Sequence, residues 1–76
     1  MEKSLNEMKS NQSGTVTQLR GGRTFKHRLR SRGVREDQRI SVVTRQPAGP
    51  LVINAGKTQL TIGRGMAKKI IIETEQ

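Results

Sequence analysis

No cysteine occurs in this chain, so neither a disulfide nor a thiolate metal site can staple it, and a reducing compartment suits it. Tryptophan and tyrosine are also missing, and phenylalanine occurs once, at Phe25. A single aromatic, assigned to the core, leaves nothing for the stacking platform on which single-strand nucleic-acid binders of barrel type rely. His27 is the only imidazole. Ser4, Ser10, Ser13, Ser31 and Ser41 therefore have no credible His/Asp partner besides it, and the chain reads as a non-enzyme with no catalytic residue. No apolar run approaches the ~18 residues of a membrane span, and Met1-Glu2-Lys3-Ser4 lacks the apolar stretch of a signal peptide. The expected compartment is the cytoplasm, with a peripheral position at the inner face of the membrane open to so basic a chain.

Positive charge is what the chain has in excess, with 15 Lys/Arg against 6 Asp/Glu and a net charge of +9. Much of it is local. Arg20, Arg23, Lys26, Arg28, Arg30, Arg32, Arg35 and Arg39 face only Glu36 and Asp37 in that stretch. Such a segment attracts polyanions: nucleic acid, an anionic membrane surface or an acidic protein patch all qualify, and a solvated face without a dedicated partner is the plain alternative. With 76 residues there is room for one domain, which buries only about 60% of the surface its unfolded chain exposes. The expected unit is residues 1–76, with the first few fraying.

The chain is organised around Gly21 to Val34. Gly21-Gly22 offers a turn tolerant of positive φ, and Thr24 can act as the N-cap of a short helix. Gly33 stands where a left-handed C′ residue is wanted, which puts Val34 at C″ against Leu29 at C3. Phe25 and Leu29, four apart, form the inner face of this helix, while Arg23, Lys26, His27, Arg28, Arg30 and Arg32 take the others. The helix is thus a basic lid on a two-residue apolar anchor.

Strands are expected on either side. Leu5 and Met8 can form one helical turn or a strap across a barrel end. Thr15–Leu19 reads as a strand whose end bulges, because Val16 and Leu19 do not share period-two parity. Arg35-Glu36-Asp37-Gln38 is a polar turn, and Arg39–Arg45 a strand with Ile40 and Val42 on one face. Gln46-Pro47-Ala48-Gly49-Pro50 is a loop. Leu51–Ile53 and Thr58–Ile62 form a hairpin about Asn54–Lys57, Gly63–Ala67 makes a small turn or single helical turn, and Lys69–Glu73 is the last strand. Short strands with turn signals between them make a small barrel, since closure removes edges they could not protect.

Taken in order, Leu19-Arg20-Gly21-Gly22, Arg28-Leu29, Gly33-Val34, Ile40-Ser41-Val42, Pro47-Ala48-Gly49-Pro50 and Gly63-Arg64-Gly65-Met66-Ala67 with Ile70 resemble the FeoA family, small cytosolic companions of the bacterial ferrous iron transporter, and the related C-terminal domains of metal-dependent repressors. The set runs from about Leu5 to Ile72. The resemblance implies a mainly all-β fold, an SH3-like barrel of about five strands with a short α-helix inserted after the first. It also implies an accessory role in iron transport, by docking on the transporter's cytosolic domain as a monomer or weak homodimer. The family's Pro-Gly after Gly-Val is Glu36-Asp37 here, and the Pro-Ala-Gly-Pro loop is about one residue short of the family pattern.

The partner-binding surface expected on this reading is Arg23, Lys26, Arg28, Arg30 and Arg32 on the helix with Pro47, Ala48, Gly49 and Pro50 in the loop. No cofactor is called for. Ferrous iron association follows from the family alone, because His27 stands among cations, and Glu36 with Asp37 or Glu73 with Glu75 make no first shell. Gly63-Arg64-Gly65 is too short for a dinucleotide fingerprint, and Gly21-Gly22 before a helix could cradle a phosphate or simply seat the lid. Two other functions stand beside the first: a basic nucleic-acid-binding barrel with weak, non-specific attraction to polyanions, and a regulator fragment, which no helix-turn-helix pattern accompanies.

Overall fold

Short runs rich in β-branched residues, separated by turn chemistry, form six strands in the computed structural model, which describes residues 1–74. They are β1 (Glu2–Ser4), β2 (Ser13–Leu19), β3 (Arg39–Arg45), β4 (Leu51–Ala55), β5 (Thr58–Ile62) and β6 (Ile70–Thr74). Helix α1 (Arg23–Ser31) joins β2 to β3, and a single turn, α2 (Arg64–Ala67), joins β5 to β6. The sheet order is β1-β6-β2-β3-β4-β5, antiparallel throughout. Five of these strands and the inserted helix are the expected SH3-like arrangement.

The sixth strand, β1, stands at the N-terminus, where the sequence predicts none. Glu2, Lys3 and Ser4 pair with Glu73, Ile72 and Ile71, the Met1 amino group ion-pairs with Glu73, and the Thr74 amide donates to the Met1 carbonyl at 2.9 Å. The reason lies in Ile70-Ile71-Ile72. All three are buried, so β6 is apolar on both faces, the pattern of an interior strand. The order supplies β2 on one side and β1 on the other.

The bulge expected in β2 is present. Val16 pairs with Ile72 and Gln18 with Ile71, so Thr17 is the extra residue and both Val16 and Leu19 turn inward. A second register shift, between Val42 and Thr44, bends β3. The β4–β5 hairpin is tighter than expected. Ala55 is buried and pairs with Thr58, so the ladder runs past Asn54 and leaves Gly56-Lys57 as a two-residue loop. Leu5 and Met8 flank and form a 3-10 turn over Leu5–Glu7, and both are fully buried.

At the far end of α1 the expected cap is met in full. Val34 N–H donates to the Leu29 carbonyl at 2.9 Å and Gly33 N–H to that of Arg30 at 3.1 Å, with Gly33 at φ +98°, a Schellman arrangement that buries Leu29 and Val34 together. The near end differs from expectation. Gly22, not Thr24, is the N-cap, because Lys26 N–H already reaches the Gly22 carbonyl at 3.1 Å and Thr24 lies inside the first turn. Neither Gly21 nor Gly22 has a positive φ. Gly21 is needed for proximity instead: a Cβ there would stand 2.4 Å from the Phe25 ring. Phe25 itself is half-buried at the rim of the core, capped by the Lys69 ammonium 5.3 Å from its centroid.

Leu29 is thus the one side chain of α1 wholly inside the aliphatic core. Leu29→Ala is expected to destabilise the protein by about 2–4 kcal/mol, while Arg30→Ala costs no more than about 1 kcal/mol. Chemical denaturation compares the two, and equal small effects would mean that α1 is not anchored through Leu29.

Candidate functional site

The basic surface is built on α1. With Phe25 and Leu29 turned inward, Arg23, His27 and Arg30 lie on the outward side, Lys26 on one flank and Arg28 on the other, with Arg32, the C-cap residue, exposed just past the last turn. The helix is held at both ends, by Phe25 against Gly21 and by the Leu29–Val34 cap, so these charges ride on a fixed element. They are not equivalent. Arg30 makes a forked contact with Glu36, at 3.2 and 3.1 Å to its two oxygens. Its own backbone amide, and after it the Arg30 guanidinium, hold the Glu36 carboxyl below its ordinary value. Among the described residues, Arg23, Arg28 and Arg32 have no acidic side chain within ion-pair distance. In the Glu36-Asp37 turn Asp37 takes φ +69°, its amide bonded to the Val16 carbonyl at 2.8 Å.

The Pro47–Pro50 loop lies at the other end of β3. The turn after α1 enters that strand at Arg39 and the loop leaves it after Arg45, so up to about 20 Å of strand separates the two expected contact regions. Pro47, Ala48 and Pro50 are exposed. The loop is nevertheless held, by a residue that sequence reasoning treated only as part of a turn. Arg64, half-buried at the start of α2, donates through Nε to the Gly49 carbonyl at 3.0 Å, through Nη2 to the Gln46 carbonyl, and through Nη1 to Asn6 Oδ1 at 3.0 Å. The signal available in the sequence was a cation between two glycines next to a loop rich in carbonyls, which names no partner.

Among the described residues no three of His, Cys, Asp and Glu converge on a point that could hold a metal ion. His27 is exposed on the outward side of α1, and Glu75 lies outside the described residues. A shallow cleft of about 260 Å³ beside β1 carries both signs of charge, with Glu2 and Glu7 facing Lys3, Arg20 and Lys68. No helix among the described residues is long and apolar enough to cross a membrane.

A family model described as the FeoA domain matches residues 3–74. A crystal structure of an iron uptake regulatory protein, FeoA, superposes with a TM-score of 0.93 at 30% identity, over 97% of this chain and 99% of that one. The zinc-complexed FeoA of Stenotrophomonas maltophilia, described as a procaryotic SH3 domain protein, superposes at 0.75 with 22% identity, over 93% of this chain and 89% of that one. A manganese-dependent transcriptional repressor superposes at 0.88 with 20% identity, over 96% of this chain and 41% of the repressor. These last two likenesses establish the fold alone. No curated protein matches the chain.

Two outcomes follow from the site's geometry. Arg64→Lys keeps the charge but loses the fork, and is expected to cost about 1–3 kcal/mol in denaturation and to speed amide exchange at Ala48 and Gly49. Unchanged exchange there would show that the loop is held by its own prolines. For Glu36 the folded pKa is depressed, so its contribution to stability is complete above the ordinary value of 4.5 and is lost as pH falls through the lower folded value. Glu36→Gln should flatten that part of the pH–stability curve by an amount of about 1 kcal/mol at most.

Proposed function

The chain belongs to the FeoA domain family, small proteins associated with ferrous iron transport, and we propose that it acts there by docking on the cytosolic part of the membrane transporter. The observation that carries this reading is the end of α1 where Arg28 and Arg32 stand without acidic partners on a helix fixed at both ends. Charges on a fixed element steer an acidic protein surface into register with little ordering cost. The exposed Pro47–Pro50 loop, kept in shape by Arg64, serves as a second contact. On this reading the protein is an adaptor without a reaction of its own, placed at the cytosolic side of the membrane, alone or as a weak homodimer. Attraction to nucleic acid is weak, salt-sensitive and sequence-indifferent, because Phe25 is wedged between Gly21 and Lys69 and no other aromatic is present to stack on a base.

Arg28→Glu and Arg32→Glu are expected to slow association with the transporter's cytosolic domain about tenfold or more at low salt, with the fold intact, whereas shortening the loop at Pro47–Pro50 raises the off-rate. In cells, deletion of the chain should reduce ferrous iron uptake, with rescue by the wild type and not by the charge reversals. Normal uptake without the chain, while the transporter is limiting, would remove the proposal.

A further inference from the structure

The two ends of the sheet are treated differently. β1 is three residues long, carries Glu2 and Lys3, and is closed off by the Met1–Glu73 ion pair. These are the devices that keep an edge from recruiting another strand. β5 has none of them. Thr58-Gln59-Leu60-Thr61-Ile62 contains no charge and no proline, and its five residues pair with β4 in unbroken register, without a bulge. Among the described residues no strand pairs with its other side.

The groups on that open side can be named. In a two-residue hairpin the pair flanking the loop, here Ala55 and Thr58, exchanges both hydrogen bonds. Leu60 and Ile62 then also bond inward to β4, and the main-chain N–H and C=O of Gln59 and Thr61 point away from the sheet. Neither residue makes a bond outside the β4 ladder among the described residues. Gln59 and Thr61 are exposed, and Leu60, on the opposite face, is only half-covered by the core.

The surrounding charge selects the occupant. Between Asp37 and Glu73 the sequence has no acidic residue, yet it has Arg39, Arg45, Lys57, Arg64, Lys68 and Lys69. Lys57 stands just before β5 and Arg64 just after it, and Arg64 bonds only neutral oxygens, so its charge is uncompensated. We infer that the outer edge of β5 is a docking edge for an acidic, extended peptide segment of another protein, which adds as a further antiparallel or parallel strand. Its central residues bond Gln59 and Thr61 and set an aliphatic side chain beside Leu60, while carboxylates at its ends meet Lys57 and Arg64. A second copy of this chain is disfavoured by the +9 that each copy carries. The inference is independent of transporter docking through α1, since it concerns a different element and a peptide of any origin.

The test uses the full chain and a capped heptapeptide, Asp-Glu-Val-Thr-Val-Glu-Asp. Binding should slow amide exchange at Gln59 and Thr61 about tenfold or more and shift resonances of β4 and β5 rather than α1. The same peptide N-methylated at alternate residues in either phase, or with lysine in place of its acids, should bind about tenfold more weakly or worse. Thr61→Pro removes an outward N–H that β4 does not use and should weaken binding equally. Should that variant fail to fold, the exchange data and the methylated peptides decide. Unchanged exchange at Gln59 and Thr61 at up to about 1 mM peptide, or shifts confined to α1, would overturn the inference. So would protection of these amides that grows with protein concentration alone, which would make a second copy the occupant.

Discussion

Closing a short six-stranded sheet is the constraint on which the rest of this structure depends. β1 and β5 are its ends and do not ladder to one another, so closure rests on the segments that follow them. Leu5 and Met8, in and after the 3-10 turn, share the buried cluster with Ala67 of α2, which ties the two segments together and leaves the outer edge of β5 exposed. Arg64 completes the tie. Its guanidinium reaches Asn6 beside one end of the sheet and the Gln46 and Gly49 carbonyls between β3 and β4. A planar fork of donors is the group suited to several carbonyl oxygens that no strand satisfies, and it fixes them in one arrangement that separate waters would not. The same contact decides how the proline loop is presented, so closure and candidate function share one side chain.

The core that this closure encloses is aliphatic, with Phe25 kept at its rim under Lys69. Small branched side chains suit a narrow barrel, where an internal ring would have to displace several of them. The consequence for function is that α1 rests on little: one buried leucine, one half-buried ring and a glycine-terminated exit. It needs no broader base, because nearly every other position on it is polar and faces water. The apolar contacts position the helix, and the arginines it carries act outward.

Charge is sorted by region in a way that composition alone conceals. Three of the acids, Glu2, Glu7 and Glu73, lie at or beside the β1–β6 end of the sheet, and Glu36 compensates Arg30. What remains without an acidic partner among the described residues is Arg28 and Arg32 at the end of α1, and the cations Lys57 and Arg64 that flank β5.

Much of this was legible without coordinates because it depends on local chemistry. The Gly33 cap with its Leu29–Val34 contact, the β2 bulge implied by Val16 and Leu19, the span of β3 and the proline loop all follow from neighbours a few residues apart, where dihedral preferences and side-chain period act. The ordered motifs likewise carried the family and the barrel. Only the tertiary structure decided the remainder, since each of those features depends on a partner distant in sequence. β1 forms by laddering its backbone onto Ile71, Ile72 and Glu73 of β6, some seventy residues away in sequence. Gly21 is a glycine because the Phe25 ring folds back onto it, not because its φ is unusual. Arg64 finds Asn6, 58 residues away in sequence, a contact that no period or cap can encode, because it exists only once α2 and the 3-10 turn have been brought together.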